Sequence, residues 1–459
     1  MKNPLLAPEL RAYIEKKETK KLKEFCENTS PVVIADFLSA ISPKEVVKVL
    51  SLLSPSVRAE VFSHLDLDIQ AELAEILPRR DMARILSDMP HDDRVDLVKK
   101  LPEDRRESIL PAIAQAERED IRRLAAYPEG SAGAVMTSDY AALPPDITAT
   151  EAIKRLRREA PDKETVYYAY VVDENRKLIG FVSLKDLILA KPNARVRDIM
   201  SENVIFARVT DDQEDAARTI QKYDLIALPV INGEDALVGI ITHDDAFDII
   251  TQEQTEDVEK MMAITGDHEA GVYLHTSAWT HLKNRIGWII ALALLGIVSG
   301  YIVQNFESML VQFAILASFM PMLADTGGNT GSQSATLVIR ALALKEISGK
   351  DFFRVLWKEL CVSLPLGLVL AVLAWLRVAL FAGDNDVPPG FSTTRLGIAV
   401  AVALGLQVIS ATLIGAILPL FAERFDLDPA VVASPALTTV VDITGLMIFF
   451  MTAKIILGI

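Results

Sequence analysis

The sequence predicts a multidomain membrane protein: an α-helical superhelical N-terminal domain, a duplicated α+β module, and an all-α domain of five transmembrane helices. Three observations predict it. Charge is divided unevenly: residues 286–459 hold nine Lys/Arg and eleven Asp/Glu, which leaves −13 of the net −15 on the first 285 residues. Two different internal repeats occupy that acidic part, and long apolar stretches fill the rest. Such a surface has no basic footprint for nucleic acid, and cations are its natural counterpart. Cys26 and Cys361, one in each half, read as unpaired packing thiols in a reducing compartment. The opening "MKNPLLAPELRAYIEKKETK" has no continuous apolar run and reads as charged helix rather than a secretory signal.

The first element is residues 1–130, and within it residues 41–113 repeat. Leu53, Leu65, Leu77, Met89 and Leu101 recur every twelve residues, and Pro78, Pro90 and Pro102 follow the last three. Each unit reads as one short helix, ended before a proline and restarted with that proline in its first turn. Units this short bury their apolar faces only by stacking, so a solenoid is expected.

The second element is a duplication over 136–250. "MTSDYAALPPDITATEAIKRLRR" opens one half and "MSENVIFARVTDDQEDAARTIQKYD" the other, and each continues into a β-rich run. Gly180, Ser183 and Asp186 match Gly239, Thr242 and Asp245. Strand, helix, two strands and helix, occurring twice, resemble a tandem pair of CBS domains, with halves at 131–200 and 201–252. That resemblance implies a regulatory module able to take adenine nucleotide or metal ions. At Ser183, Asp186 and Thr242 the residues fit two roles, receiving a ribose or capping the helix that follows. Residues 253–285 then read as a linker helix, broken near Gly266 and Gly271 and basic where it meets the membrane.

The third element, 286–459, shows five apolar stretches, roughly 286–305, 309–338, 360–381, 396–421 and 430–456, each long enough to span. Arg340, Lys345, Lys350, Arg354 and Lys358 crowd the loop after the second, whereas "FAGDNDVPPGFSTTR" after the third is acidic. Placing the basic loop inside makes the N-terminal domains cytoplasmic and the C-terminus external. Polar groups at membrane depth are the informative ones. "PMLADTGGNTGSQSAT" interrupts the second stretch with Gly328 and Asn329 at its centre, and irregular backbone in a bilayer has to line a cavity or pack against protein. Asp442 sits mid-way along the last stretch, where an ionised carboxylate costs roughly 3 kcal/mol. Pro435, seven residues earlier, frees a carbonyl on a helix, and carbonyls plus a carboxylate are hard ligands for Mg²⁺ or Ca²⁺. Asp428, about 21 Å before Asp442 along a helix, marks the cytoplasmic mouth. A partner cation for Asp442, such as Arg377, is the competing explanation.

The order of elements, with "GGNTGSQSAT" and "DPAVVASPALTTVVDITG", resembles the MgtE family of magnesium channels and transporters over almost the whole chain. The resemblance implies a homodimer in the cell (inner) membrane, with a pore on the two-fold axis lined by the second and fifth helices. Asp442 then matches the central pore carboxylate and Asp428 the one nearer the entrance. Ser434 stands where some members carry Asn, and Thr438, one turn before Asp442, offers its hydroxyl or carbonyl to the same ion. It further implies closure by intracellular Mg²⁺ at Glu60, Asp92 and Asp96 of the solenoid. Asp212, Glu214, Asp224, Asp245, Glu253, Glu256 and Asp257 complete that set in the second CBS half and linker, the linker acting as a plug. Clustered carboxylates repel one another without cations, which is the physical reason for such a switch. Three rivals remain at this point. Transport of Co²⁺, Mn²⁺ or Zn²⁺ loses ground because all six histidines precede the first membrane stretch. An intramembrane aspartyl protease would use Asp325 with Asp442. A membrane-tethered nucleotide sensor would bind ligand and carry no flux.

Overall fold

Proline punctuates the N-terminal helices. After α1 (Thr19–Asn28), Pro31, Pro43 and Pro55 each hold the first position of α2 (Pro31–Leu38), α3 (Pro43–Leu50) and α4 (Pro55–Ser63), where a missing N–H costs no intrahelical bond. Past α5 (Leu67–Ile76) the pattern slips by one residue. Pro78, Pro90 and Pro102 are the N-caps of α6 (Arg79–Asp88), α7 (His91–Lys100) and α8 (Glu103–Ile109), not first-turn residues. Their carbonyls accept the first helical bonds, from Met82, Arg94 and Arg106 at 2.9–3.1 Å. α9 (Gln115–Ala125) closes the array. From α2 to α7 each helix packs on the second one along, and all five residues of the twelve-residue period are buried. Each buried Leu contributes about 1.5–3 kcal/mol, so the period is the core of the solenoid.

The computed structural model describes residues 12–14, 16, 18–266, 276–382, 387–425, 427–430 and 434–459, in two compact units, Met1–Ile250 and Thr251–Ile459. The first unit also holds the duplicated module. Its first half has β1 (Tyr140–Leu143), α10 (Ala149–Glu159), β2 (Thr165–Val172), β3 (Leu178–Ser183), α11 (Leu184–Leu189) and α12 (Val196–Ile199). Its second half has β4 (Ala207–Arg208), α13 (Gln213–Tyr223), β5 (Ala227–Ile231), β6 (Leu237–Thr242) and α14 (His243–Met261). In both sheets the first strand runs parallel to the second, which pairs antiparallel with the third. The halves exchange their openings. A Cβ on Gly239 would lie 2.6 Å from Met136 Sδ and 2.8 Å from the Thr137 carbonyl, and one on Gly180 would lie 2.8 Å from Met200 Sδ. The matched glycines exist because the chain before each half's first strand presses on a third strand, through bridges Thr137–Ile240 and Phe181–Ser201. α14 runs unbroken through 252/253, so the boundary read there falls inside a helix. Gly266 does adopt positive φ, while Gly271 lies outside the described residues.

Among the described residues the second unit is built on five long helices besides the end of α14. α15 (Ala278–Asn305) begins eight residues before the span read from hydropathy. Short α16 (Glu307–Gln312) and a 3₁₀ segment, Ala314–Phe319, lead to α17 (Met320–Ala343), followed by α18 (Phe352–Phe381), α19 (Thr393–Arg424) and α20 (Ser434–Leu457). Among the described residues four helices, all but α17, are long and apolar enough by composition to cross a membrane. α17 is the polar fifth. The expected interruption at the glycine-rich motif is absent: α17 is continuous through Gly327, Gly328 and Gly331, and the irregular backbone precedes it. The glycines serve close packing instead. A Cβ on Gly331 would meet the Ala411 carbonyl at 3.2 Å, and Gly415 of α19 faces the Gly331 backbone. α19 is the central helix, packed on α17, α18 and α20.

Candidate metal sites

In the soluble unit, α7 starts at His91 and so carries Asp92, Asp93 and Asp96 in its first two turns. The module brings Asp245, in the first turn of α14, and Glu164, just before β2, to the same place. Burial, with Glu164 and Asp96 adding repulsion, pushes the Asp92 carboxyl up to about 7. Burial and the charges of Asp92, Asp245, Asp96 and Glu164 push Asp93 up to about 8. Asp245 rises to about 7 from burial and from Asp92, and Asp96 to about 6 from burial and Glu129. Glu164 is raised as well, by burial and then by Asp245. One oxygen of Asp92 is buried with no hydrogen-bond partner. Among the described residues no three carboxylates, imidazoles or thiols converge closely enough to hold a bare ion.

A second network flanks the cluster. His91 contacts Asp120 through Nδ1 at 2.8 Å and Asp139 through Nε2 at 3.0 Å. Burial would raise Asp120, but its hydrogen bonds with His91 and Ser138 hold it at about 2.

Several of the other acidic residues singled out from the sequence have local partners. Asp212 caps α13 by accepting from the Glu214 amide at 2.8 Å, Glu214 pairs with Arg218, and Asp224 ends α13 in the left-handed conformation. Glu60 is exposed on α4. Glu253, Glu256 and Asp257 lie on α14, with Glu256 paired to Lys260. At the proposed ribose turns the capping role is visible: Ser183 accepts from the Asp186 amide at 3.0 Å, and Thr242 donates to Asp245.

In the membrane unit, Asp442 is half-buried on α20, and Thr438 lies one turn before it on the same face. A Cβ on Gly328 would touch the Thr438 methyl at 3.5 Å, so α17 and α20 meet at these residues. The Thr438 hydroxyl donates to the Pro435 carbonyl at 3.0 Å, leaving its oxygen lone pairs available. Pro435 is the second residue of α20, where it breaks no helical bond, which corrects the reading of a carbonyl freed within the helix. Asp428 likewise precedes the helix, so a helical rise does not give its distance from Asp442. It accepts from Lys260 Nζ at 2.9 Å and from the Ala430 amide at 2.8 Å. Met261, next to Lys260, packs on the cluster of Ala335, Leu437 and Val441. Asn329 donates to Asp325 at 3.0 Å. Arg377, the cation considered for Asp442, is engaged elsewhere: it donates to the Ser318 carbonyl at 3.2 Å and stacks 4.2 Å over Phe319. The Ser434 side chain lies outside the described residues. Sequence reasoning missed Asp93, Glu164 and Lys260. Only the adjacency of Asp93 to Asp92 carried a local signal.

Residues 29–130 match the MgtE intracellular N domain, 132–193 and 196–252 match CBS domains, and 320–452 match the divalent cation transporter family MgtE. The chain is 42% identical to the magnesium transporter MgtE of Thermus thermophilus over 73% of its length and 72% of that protein. It is 37% identical to the Bacillus subtilis magnesium transporter MgtE over 72% of this chain and 70% of that one. Among solved structures, the cytosolic domain of the Mg²⁺ channel MgtE in complex with ATP aligns with TM-score 0.51 and 37% identity, covering 53% of this chain and all of that one. The soluble part of a magnesium transporter aligns with TM-score 0.51 and 31% identity, over 53% of this chain and 96% of that one.

Proposed function

The chain belongs to the MgtE family of magnesium transporters, a transport protein and not an enzyme, and from that premise we propose that it is a Mg²⁺-selective channel closed by internal Mg²⁺. One observation carries the pore assignment. A half-buried carboxylate, Asp442, shares a helix face with the Thr438 hydroxyl where α20 meets Gly328 of α17. A fixed negative charge in a low-dielectric path attracts a divalent ion, and a hydroxyl one turn away can hold its water shell. Asp428 serves the cytoplasmic mouth, with Gly328, Asn329 and Ser434 as further parts of the path. No chemical step is required, and flux runs down the electrochemical gradient.

Gating follows from the acidic junction. Asp92, Asp96 and Asp245, joined by Asp93 and Glu164, repel one another until Mg²⁺ occupies the space between them. Glu60, Asp212, Glu214, Asp224, Glu253, Glu256 and Asp257 supply weaker sites. The domain plan is a solenoid to 130, CBS halves at 131–200 and 201–252, a plug at 253–285 and a pore domain at 286–459. The protein works as a homodimer in the cell membrane, with cytoplasmic N-terminal domains and an external C-terminus. The ATP-bound relative supports an adenine nucleotide at Ser183 and Asp186, with Thr242 at the equivalent turn. Softer divalent ions are poorly served by this oxygen-rich face.

Flux into proteoliposomes, with Mg²⁺ varied separately on each side, tests the proposal. Uptake driven by outside Mg²⁺ and shut by millimolar Mg²⁺ on the cytoplasmic face is expected. Flux that ignores cytoplasmic Mg²⁺ removes the gating, and absence of flux from folded protein removes the channel.

A further inference from the structure

The soluble unit is acidic, yet it holds a cavity with a basic wall where the solenoid meets the first CBS half. It measures about 230 Å³, and Arg123, Arg155, Lys163 and Arg176 line it with Ser138 and a single carboxylate, Glu159. These side chains come from separate elements: Arg123 from α9 of the solenoid, Arg155 and Glu159 from α10, Lys163 from the entry to β2, and Arg176 from the β2–β3 hairpin. Their existing contacts leave donors over. Arg155 Nε meets Glu159 at 3.1 Å, Lys163 lies 3.9 Å from Asp139, Arg123 pairs with Asp120, and Arg176 donates to the Tyr140 hydroxyl. A guanidinium carries five N–H donors in a planar fork suited to tetrahedral oxyanions.

We propose that this cavity binds a phosphate-type oxyanion and that the bound ion fastens the last solenoid helix to the first CBS half. The size suits a phosphate group, since pockets for whole small molecules begin at about 300 Å³. The Tyr140 ring is buried, so the wall presents no open aromatic face for a base. The site is also separate from the Ser183 and Asp186 turn and from Thr242, none of which lines it. Behind it, Ser138 donates to Asp120 at 2.9 Å and touches His91, so the ion sits against the contact that joins α7, α9 and the entry to β1.

The test uses the full chain in detergent, titrated with inorganic phosphate at constant ionic strength set by chloride. A ligand that binds only the folded state raises the melting temperature in a saturable way. The expected result is saturation in the millimolar range, with the midpoint moved at least tenfold in Arg155→Ala/Arg176→Ala. A parallel titration with AMP separates the sources. A stronger effect of AMP with the same arginine dependence identifies a phosphoryl ester as the occupant, and an effect of phosphate alone identifies the free ion. Should the double variant fail to fold, Arg176→Gln, in an exposed hairpin, is read by ³¹P line broadening of added phosphate. A linear, unsaturating shift, or one identical in the variants, overturns the proposal.

Discussion

The acidic junction of the soluble unit and the carboxylate face of the membrane unit pose opposite electrostatic problems. In the first, five carboxyls are raised mainly by burial, and repulsion among Asp92, Asp93, Asp96, Asp245 and Glu164 adds to the shift at all of them but Asp96. In the second, a single carboxylate stands on an apolar helix with a hydroxyl one turn away. A crowd of weak sites responds steeply to concentration, because each ion bound shifts the equilibrium only by its differential affinity for the two states. A lone charge in a low-dielectric path instead sets whether a divalent ion enters at all. On the proposed function, the difference teaches that sensing and conduction place contrary demands on the same residue type.

The largest expected effect breaks the membrane side. Asp442→Asn keeps size and removes charge, so Mg²⁺ uptake by proteoliposomes should fall by about two orders of magnitude or more, roughly the loss of a 3 kcal/mol interaction. Near-normal flux through the folded variant would place the path elsewhere. The junction comes next. Asp92→Asn/Asp93→Asn/Asp245→Asn should melt higher than the parent in Mg²⁺-free buffer, by about 2–4 °C per kcal/mol of repulsion relieved. The same variant should need several-fold more Mg²⁺ to shut. A parent-like response on both measures would show that the cluster is not the sensor. The smallest effect is on pH. These carboxyls titrate higher in the folded state than when unfolded, so the folded state binds more protons between pH 4 and about 8. Their contribution to stability without Mg²⁺ should therefore be greatest below about pH 4 and be lost as pH rises to about 8, and Mg²⁺ should flatten that fall. Melting curves that rise with pH would contradict it.

The two regions also differed in how far they could be read. Asp442 was legible because a carboxylate inside an apolar run has no ordinary explanation. In the junction, Asp92, Asp96 and Asp245 came from resemblance, but Glu164 had no local mark, being remote in the chain from its partners. The residue roles around Pro435 were misread because the start of α20 was unknown: a proline that breaks a helix in its interior is harmless in its first turn.

What the sequence by itself determined is whatever repeats or accumulates along the chain: the twelve-residue solenoid, the duplicated module, the division of charge and the apolar spans. These are local periodicities and sums, and burial follows from them directly. Only the tertiary structure decided that Met136 presses on Gly239 and Met200 on Gly180, that α17 runs unbroken past its glycines, and that Lys260 holds Asp428. Each depends on which surfaces meet after folding. Contacts between distant residues leave no period in the chain, and the glycine that permits a close crossing is the same letter as one that breaks a helix.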